Sequence, residues 1–220
     1  MKNETIIGQT VTYVKKTLEE AEAGHDWWHI YRVWKMAQHI GKESGADMLV
    51  TELGALLHDI ADFKFNQGDE EIGVKTSEDF LNGLVLDKNV IEQVSQIVKN
   101  VSFKGEKHEQ PVKFLELDVV QDADRLDAIG AIGIARVFTY GGYKGKPLYD
   151  PSFKPSLGMS KEEYILASQQ QAPSINHFYE KLLLLKDLMN TEVGRKVAQG
   201  RHSYMEKYLE NFYAEWEGEK

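Results

Sequence analysis

The residues best suited to chemistry in this chain are an adjacent histidine and aspartate, His58 and Asp59, which follow the apolar run at 53–57. A buried imidazole and carboxylate are costly to desolvate unless something pairs them. A divalent cation would pair both. Asp62 follows four residues after His58, and on a helix it would project to the same side. The segment could therefore supply two metal ligands with an acid or base nearby, but a His-Asp pair alone is weak evidence for a metal site.

Two residues elsewhere in the sequence can complete a metal site. His29 lies upstream of the pair, and Asp124 lies downstream, within an acidic stretch at 122–127. Two imidazole nitrogens and two carboxylate oxygens, without a thiolate, suit six-coordinate Mn²⁺, Fe²⁺, Co²⁺ or Ni²⁺, with Zn²⁺ as a further option. Singly, each residue has an ordinary explanation, such as helix capping or a favourable position in the helix dipole. Only the four residues taken as an ordered set, with the sequences that flank them, favour a metal site.

The order His29, then His58 and Asp59, then Asp124 resembles the HD-domain metal-dependent phosphohydrolase superfamily, over roughly residues 20–150. The flanking sequences GHDWWHIYRV and VQDADRLDAIG look like a bacterial subgroup that includes manganese-dependent nucleotide pyrophosphohydrolases. This resemblance implies a helical bundle and one divalent metal per chain, Mn²⁺ before Mg²⁺, Co²⁺, Ni²⁺, Fe²⁺ or Zn²⁺. It also implies cleavage of a nucleoside triphosphate to a monophosphate and pyrophosphate.

The resemblance also gives Asp62 a role in catalysis. Several members of the superfamily carry a carboxylate three residues after the motif aspartate, where it orients or deprotonates the attacking water. Asp62 holds that position here, although a glutamate, one methylene longer, is often found there. The structural alternative for Asp62 is to cap the break in the helical pattern at 61–69.

A phosphoester reaction develops charge on phosphoryl oxygens, so the site needs protein cations besides the metal. Arg32, three residues after His29 and on the same helix face, and Lys64 are the catalytic candidates. The loop at 141–150 is glycine-rich and could fold over a nucleotide. Ordinary surface charge is the alternative for each residue of this group. The candidates for substrate binding are Lys104, His108, Arg125, Asp127, Tyr143, Lys144 and Lys146.

Composition narrows the class of protein. The chain has 220 residues, 42% of them apolar, with a formal charge of −9 and no cysteine. This charge argues against a nucleic-acid polymer or an anionic membrane as partner, and the absence of cysteine excludes disulfides and thiolate sites. No signal region or membrane span is evident, so we expect a cytoplasmic protein. Its oligomeric state is left open, a homodimer included.

Helical periodicity runs through the sequence and no alternating strand pattern is found, which predicts an all-α fold. We predict one HD-type domain over 1–220, with a core at about 20–150 and C-terminal helices at about 160–217. Asp26, Asp47, Asp87 and Thr191 are predicted N-caps, and Gly45 a stop. The first helix should bury Ile7, Val11, Val14 and Leu18. The predicted helices are 5–22, 26–44, one from 47 through the His-Asp pair, 69–83, 87–100, 122–140, one from 160, and two within 174–217.

Other functions fit parts of the pattern. A nucleoside 5′-monophosphatase or a nucleotide phosphodiesterase would use the same metal ligands. A helical regulatory module that senses nucleotides without turnover is disfavoured, because all four metal positions hold competent ligands. An oxygenase with two irons would need more histidines between 59 and 124, where His108 stands alone.

Overall fold

The computed structural model describes residues 2–19, 26–60, 71–101, 112–158 and 172–220. Within these ranges the secondary structure is helical without a strand, which confirms the all-α class. Contacts divide the chain into two compact units. The first holds the described residues up to Asp124, and the second holds those from Arg125 onward. Whether 1–220 is a single domain is not tested by this division and stays a prediction.

The first unit is built around a central helix, α3 (Met48–Leu57), in which all but the first two residues and Glu52 are buried. Helix α3 packs against three of its neighbours, α1, α2 and α5, and α4 packs against α5. A Cβ on Gly54 would lie 2.6 Å from Cδ1 of Ile97, so glycine permits the close approach of α3 and α5. The other helices are α1 (Asn3–Thr17), α2 (Trp27–Ser44), α4 (Glu71–Asn82), α5 (Lys88–Asn100) and α6 (Leu115–Asp127), whose residues up to Asp124 belong to this unit.

The helix starts were predicted well because they depend on local capping. The side chain of Asp26 accepts a hydrogen bond from the backbone N–H of His29, and Asp47 and Asp87 cap α3 and α5 in the same way. A carboxylate at this position satisfies N–H groups that have no partner within the helix. Gly45 ends α2 with φ of +76°, a left-handed conformation that favours glycine.

The buried face of α1 differs from the prediction. Ile6, Thr10 and Val14 are buried, whereas Ile7 and Val11 are only half-buried. The buried face of α1 can include Thr10 because its hydroxyl donates a hydrogen bond to the carbonyl oxygen of Ile6 at 2.9 Å. The hydroxyl is therefore buried with a hydrogen-bond partner. A polar residue can therefore occupy the inner face of this helix.

The single helix predicted for 122–140 is wrong. The chain forms α6, which begins seven residues earlier at Leu115, and then α7 (Gly130–Tyr143). Gly130 separates them with φ of +79°, and a Cβ on Gly133 would collide with the carbonyl of Ala128. The two glycines thus permit a tight corner between α6 and α7. They are not two interior residues of one continuous helix.

The second unit contains α7, the short α8 (Asn176–Glu180), a 3₁₀ helix (Leu182–Leu188) and the long α9 (Glu192–Trp216). Helix α9 packs against α7 and against the 3₁₀ helix, and Thr191 caps it as predicted. The leucine-rich helix predicted before Thr191 is instead α8 followed by the 3₁₀ helix. These elements are joined by stacked and tilted aromatic contacts, with ring centroids 6.0 to 6.4 Å apart, among Phe138, Phe178, Tyr208 and Phe212.

The predicted break at 61–69 and the start of the predicted helix from Ser160 lie outside the described residues. The sequence also predicts a loop at 101–110, of which only Val101 is described. The loop predicted to begin at Gly141 begins instead at Lys144, because Gly141 and Gly142 belong to the last turn of α7. Across the described residues, no helix combines the length and apolar character needed to cross a membrane.

Candidate metal centre

Three elements of the first unit carry the four predicted metal ligands. His29 lies in the first turn of α2, His58 and Asp59 follow directly after α3, and Asp124 lies in the last turn of α6. The sequence had allowed Asp124 a place in the first turn of a helix. The earlier start of α6 removes that explanation, because a carboxylate near a helix C-terminus is not favoured by the helix dipole.

The four side chains converge. The Nε2 atoms of His29 and His58 lie 3.2 Å apart. The Oδ2 atom of Asp59 lies 3.5 and 3.8 Å from these two nitrogens, and the Oδ1 atom of Asp124 lies 3.6 and 3.9 Å from them. The histidine side chains are 2% and 1% exposed, and the carboxylates of Asp59 and Asp124 are 13% and 30% exposed. The cluster is therefore closed on the histidine side and open on the side of Asp124.

The spacing fits a metal ion. Ligand atoms about 2.1 Å from a cation and at right angles to each other lie about 3 Å apart. The separation of 3.2 Å between the two Nε2 atoms is close to this value. His29, His58 and Asp59 offer ligand atoms that all lie within 4.8 Å of one another. Two buried imidazoles at this distance, with two carboxylates beside them, form a donor set that one divalent cation would pair.

The protonation of His58 also suits a metal ligand. Its Nδ1 atom lies 2.8 Å from the carbonyl oxygen of Ala55, which can only accept a hydrogen bond, so Nδ1 carries the proton. In the neutral imidazole with this tautomer, Nε2 presents its lone pair to the cluster. The contact of His58 with Ala55 is not among the features predicted from the sequence. A hydrogen bond of this kind could nevertheless be expected, because carbonyl oxygens in the last turn of a helix lack partners within the helix.

The positions of His29 and Asp124 are fixed from outside the cluster. The carboxylate of Asp26 accepts from the backbone N–H of His29 at 3.0 Å, so the cap of α2 also sets the start of the ligand-bearing turn. Gln121 donates to the carbonyl oxygen of Asn100 at 2.8 Å and joins α6 to the end of α5. Hydrogen bonds thus hold the helices that carry these predicted ligands in place, which favours a preformed site.

The other predicted catalytic residues are described only in part. Arg32 is half-buried on α2, one turn after His29. Asp62 and Lys64 lie outside the described residues, as do Lys104 and His108. Helix α3 ends at Leu57, one residue before the His-Asp pair, so the helical spacing from His58 to Asp62 is not part of the described helix. The roles of these residues stay predictions.

Arg125 and Asp127 belong to the second unit, where each has a protein partner. Arg125 donates to the carbonyl oxygen of Leu188, at the end of the 3₁₀ helix. The buried carboxylate of Asp127 lies 2.6 Å from a guanidinium nitrogen of Arg136. The sequence did not predict Arg136 as a partner of Asp127. Binding of substrate by Arg125 and Asp127 stays a prediction.

Tyr143, Lys144 and Lys146 also lie in the second unit. Tyr143 is exposed at the end of α7, and the ammonium of Lys144 lies 4.8 Å from the centre of its ring. Lys146 is half-buried near His177. Burial lowers the pKa of His177 to about 3, and Lys181 and Lys146 act in the same direction. His177 is therefore neutral at physiological pH, and the positive charge here comes from lysine. Binding of substrate by these three residues stays a prediction.

Comparisons with known proteins identify the family of the chain. The family model of the HD domain matches residues 27–129, a range that includes the four predicted ligands. The chain is 37% identical over 205 residues to the uncharacterized protein YpgQ of Bacillus subtilis, covering 91% of this chain and 89% of that protein.

Two crystal structures extend the similarity to almost the whole chain. An HD-superfamily hydrolase from Bacillus thuringiensis superimposes with a TM-score of 0.78 and 42% identity, over 98% of this chain and 99% of that one. The structure of Bacillus subtilis YpgQ in complex with ADP superimposes with a TM-score of 0.77 and 34% identity, over 98% and 97%.

Helices that present two histidines and two aspartates to one point define an HD-type metal hydrolase. The chain belongs to the HD-domain metal-dependent phosphohydrolase superfamily. Its class of activity is therefore metal-dependent hydrolysis of a phosphate bond, and its His-Asp cluster fits the divalent metal which that activity requires.

Proposed function

We propose that this protein hydrolyses nucleoside triphosphates to nucleoside monophosphates and pyrophosphate, with one Mn²⁺ ion held by His29, His58, Asp59 and Asp124. The observation that carries the proposal is the approach of the two Nε2 atoms to 3.2 Å beside two carboxylates. A nucleotide substrate is supported by YpgQ, a relative of similar length, which was crystallised in complex with ADP. A donor set of nitrogen and oxygen without sulfur suits Mn²⁺.

The reaction requires water to attack the α-phosphorus while the bond from that phosphorus to the bridging oxygen breaks. The oxygen of water becomes part of the monophosphate, and the bridging oxygen leaves with pyrophosphate. A divalent metal, when bound, polarises a phosphoryl oxygen and lowers the pKa of water. Asp62 accepts the proton of the attacking water. Arg32, one turn along α2 from His29, binds oxygens of the phosphate under attack.

The two phosphates that leave need further positive charge, because pyrophosphate departs as a multiply charged anion. Lys104, Lys144 and Lys146 supply it in this proposal, with Lys64 and His108 as further contacts. Arg125, Asp127 and Tyr143 take part in binding the nucleoside end. One metal ion polarises a single phosphoryl oxygen, so the remaining phosphates depend on these side chains.

The bond that breaks can be read from isotope labelling. In ¹⁸O-labelled water with Mn²⁺, we expect one labelled oxygen in the nucleoside monophosphate and none in pyrophosphate, because attack is at the α-phosphorus. Mass spectrometry of separated products measures this. Label found only in pyrophosphate would place the attack at the β-phosphorus, and a nucleoside diphosphate with orthophosphate would refute the proposed reaction.

Removal of two lysines should separate binding of the triphosphate from the chemical step. In the variant Lys144→Ala with Lys146→Ala, we expect KM for a nucleoside triphosphate to rise roughly 10-fold or more, the usual effect of losing hydrogen bonds to a charged group. KM for an aryl phosphate should change little, since it has no second or third phosphate. Lys154→Ala, which removes an exposed lysine four residues beyond that loop, is the matched control. Equal effects on both substrates would show that these lysines do not bind the leaving phosphates.

A further inference from the structure

Trp28 is a large aromatic side chain that the packing of the first unit does not explain. It precedes the metal ligand His29 in the first turn of α2, and it is 61% exposed. Its neighbours Trp27 and Trp34 are only partly exposed. Exposure of an indole forgoes the favourable free energy of burying its large apolar surface. An aromatic ring that faces solvent beside a reaction centre is well placed to meet a ligand.

Helix geometry gives the direction of Trp28 relative to the metal ligand. Successive residues of an α-helix are about 100° apart. Around the axis of α2, Arg32 therefore lies about 40° from Trp28, and His29 lies about 100° from Trp28 on the same side. The order is an aromatic ring, a guanidinium and a metal ligand. A nucleotide presents a base, phosphate oxygens and a phosphorus under attack in the corresponding order.

The ring of Trp28 is held by a row of aromatic contacts. Its edge meets the ring of Tyr31, with centroids 5.9 Å apart and planes at 79°. Tyr31 meets Trp34 in the same manner at 6.3 Å, and the indole N–H of Trp34 donates to Glu52 of α3 at 2.8 Å. The ammonium of Lys35 lies over the rings of Tyr31 and Trp34. Such support lowers the entropy lost when a flat ligand stacks on the ring.

We propose that Trp28 binds the nucleobase of the substrate by stacking. The inference rests on the proposed function, in which His29 and its partners hold the metal at the phosphates. Stacking on an aromatic ring tolerates every base, because each base has a π-face, and its strength follows the size of the base. The protein should therefore accept all bases, with purines bound more tightly than pyrimidines.

The test compares two ligands that differ only in the nucleoside. One is α,β-methylene-ADP, whose carbon bridge resists cleavage, and the other is methylenediphosphonate, which has no base. Calorimetric titration with Mn²⁺ should show Trp28→Ala weakening the nucleotide analogue roughly 5- to 100-fold, the usual effect of losing one stacked base. The affinity for methylenediphosphonate should be unchanged. Trp28→Phe should stay within about 5-fold of the wild type, because it keeps a ring.

Two controls protect this test. Val85→Ala removes another exposed apolar side chain of the first unit and should change neither affinity. Elemental analysis should find normal metal content in Trp28→Ala, which shows that His29 has kept its place. The pyrimidine analogue α,β-methylene-CDP should bind the wild type more weakly than the adenine analogue, and the difference should shrink in Trp28→Ala.

Several outcomes would overturn the inference. An unchanged affinity of Trp28→Ala for the nucleotide analogue would show that the base does not meet this ring. An equal loss for both ligands would make Trp28 a support of the metal site. If the wild type bound both ligands equally, base recognition would fail while the proposed reaction stood. If the wild type bound neither, the proposed function would fall as well.

Discussion

Replacement of His58 by alanine is expected to remove the bound metal and hydrolytic activity together, while the helical fold persists. The Nε2 atom of His58 lies 3.2 Å from that of His29, and its Nδ1 atom lies 2.8 Å from the carbonyl oxygen of Ala55, so Nε2 would be one of the four donors of the proposed metal site. Loss of an outer partner of a metal ligand already costs roughly 10- to 100-fold in affinity or activity. Loss of the ligand itself should exceed this, to at least about 10³-fold in kcat/KM.

The measurement is elemental analysis of purified protein together with turnover of a nucleoside triphosphate. His39→Ala is the matched control, since it removes an exposed histidine of α2 whose partner is Glu43, at 3.4 Å, and it should keep both metal and activity. His58 is buried, so its variant could fold poorly. Asp124→Ala removes a partly exposed ligand and tests the same site at less risk to the fold. Full metal occupancy in Asp124→Ala would contradict the assignment of that ligand.

Thermal unfolding gives a second measure that needs no turnover. A ligand that binds only the folded state stabilises it by an amount that grows with the ligand concentration. Added Mn²⁺ should therefore raise the Tm of the wild-type protein and of His39→Ala. It should leave the Tm of His58→Ala and Asp124→Ala nearly unchanged. A similar rise in Tm in all four proteins would show that the stabilising ion binds elsewhere.

Prediction from the sequence succeeded where the structure is decided by neighbouring residues. Asp26, Asp47, Asp87 and Thr191 cap helices because a side-chain oxygen needs only the N–H groups two or three residues onward. Gly45 ends α2 because its own backbone adopts positive φ. These features require no knowledge of the tertiary fold.

Prediction failed where distant contacts decide. The corner between α6 and α7 depends on Gly130, whose α-hydrogen side is packed by the Arg201 side chain, 71 positions later in the sequence. The four consecutive leucines from 182 have no helical period, and the chain resolves them as a 3₁₀ helix in which Leu182 and Leu185 are buried. Three residues per turn place these two on one side, a spacing that the sequence alone does not distinguish from an α-helix.

The predicted metal ligands combine a local sequence feature with contacts between residues far apart in the sequence. His58 and Asp59 are adjacent in the sequence, but such a pair by itself is weak evidence for a metal site. Their grouping with His29 and Asp124 rested on resemblance, because no local rule brings the start of α2 and the end of α6 together. In the structure, the packing of α2 on α3 and the hydrogen bond from Gln121 to the end of α5 bring these residues together.

Replacement of Asp62 by asparagine should lower kcat by roughly 10²- to 10⁴-fold, the usual range for loss of a general acid–base group. Metal content should remain normal, because Asp62 is not among the proposed ligands. The amide has nearly the shape of the carboxylate, but it cannot take a proton from water. Steady-state turnover of a nucleoside triphosphate with Mn²⁺, together with elemental analysis, measures both quantities.

This substitution separates chemistry from capping, which is the structural alternative for Asp62. Asparagine and aspartate are about equally good at a helix N-cap, so a capping role would survive the change. Asp47→Asn is the matched control, since Asp47 caps α3 in the structure and should keep its kcat when replaced. Asp62→Glu should retain much of the activity, because it keeps a carboxylate that can accept a proton, one methylene farther from the backbone. Unchanged turnover in Asp62→Asn, with normal metal content, would return Asp62 to a structural role and leave the base that accepts the proton to be sought among other residues.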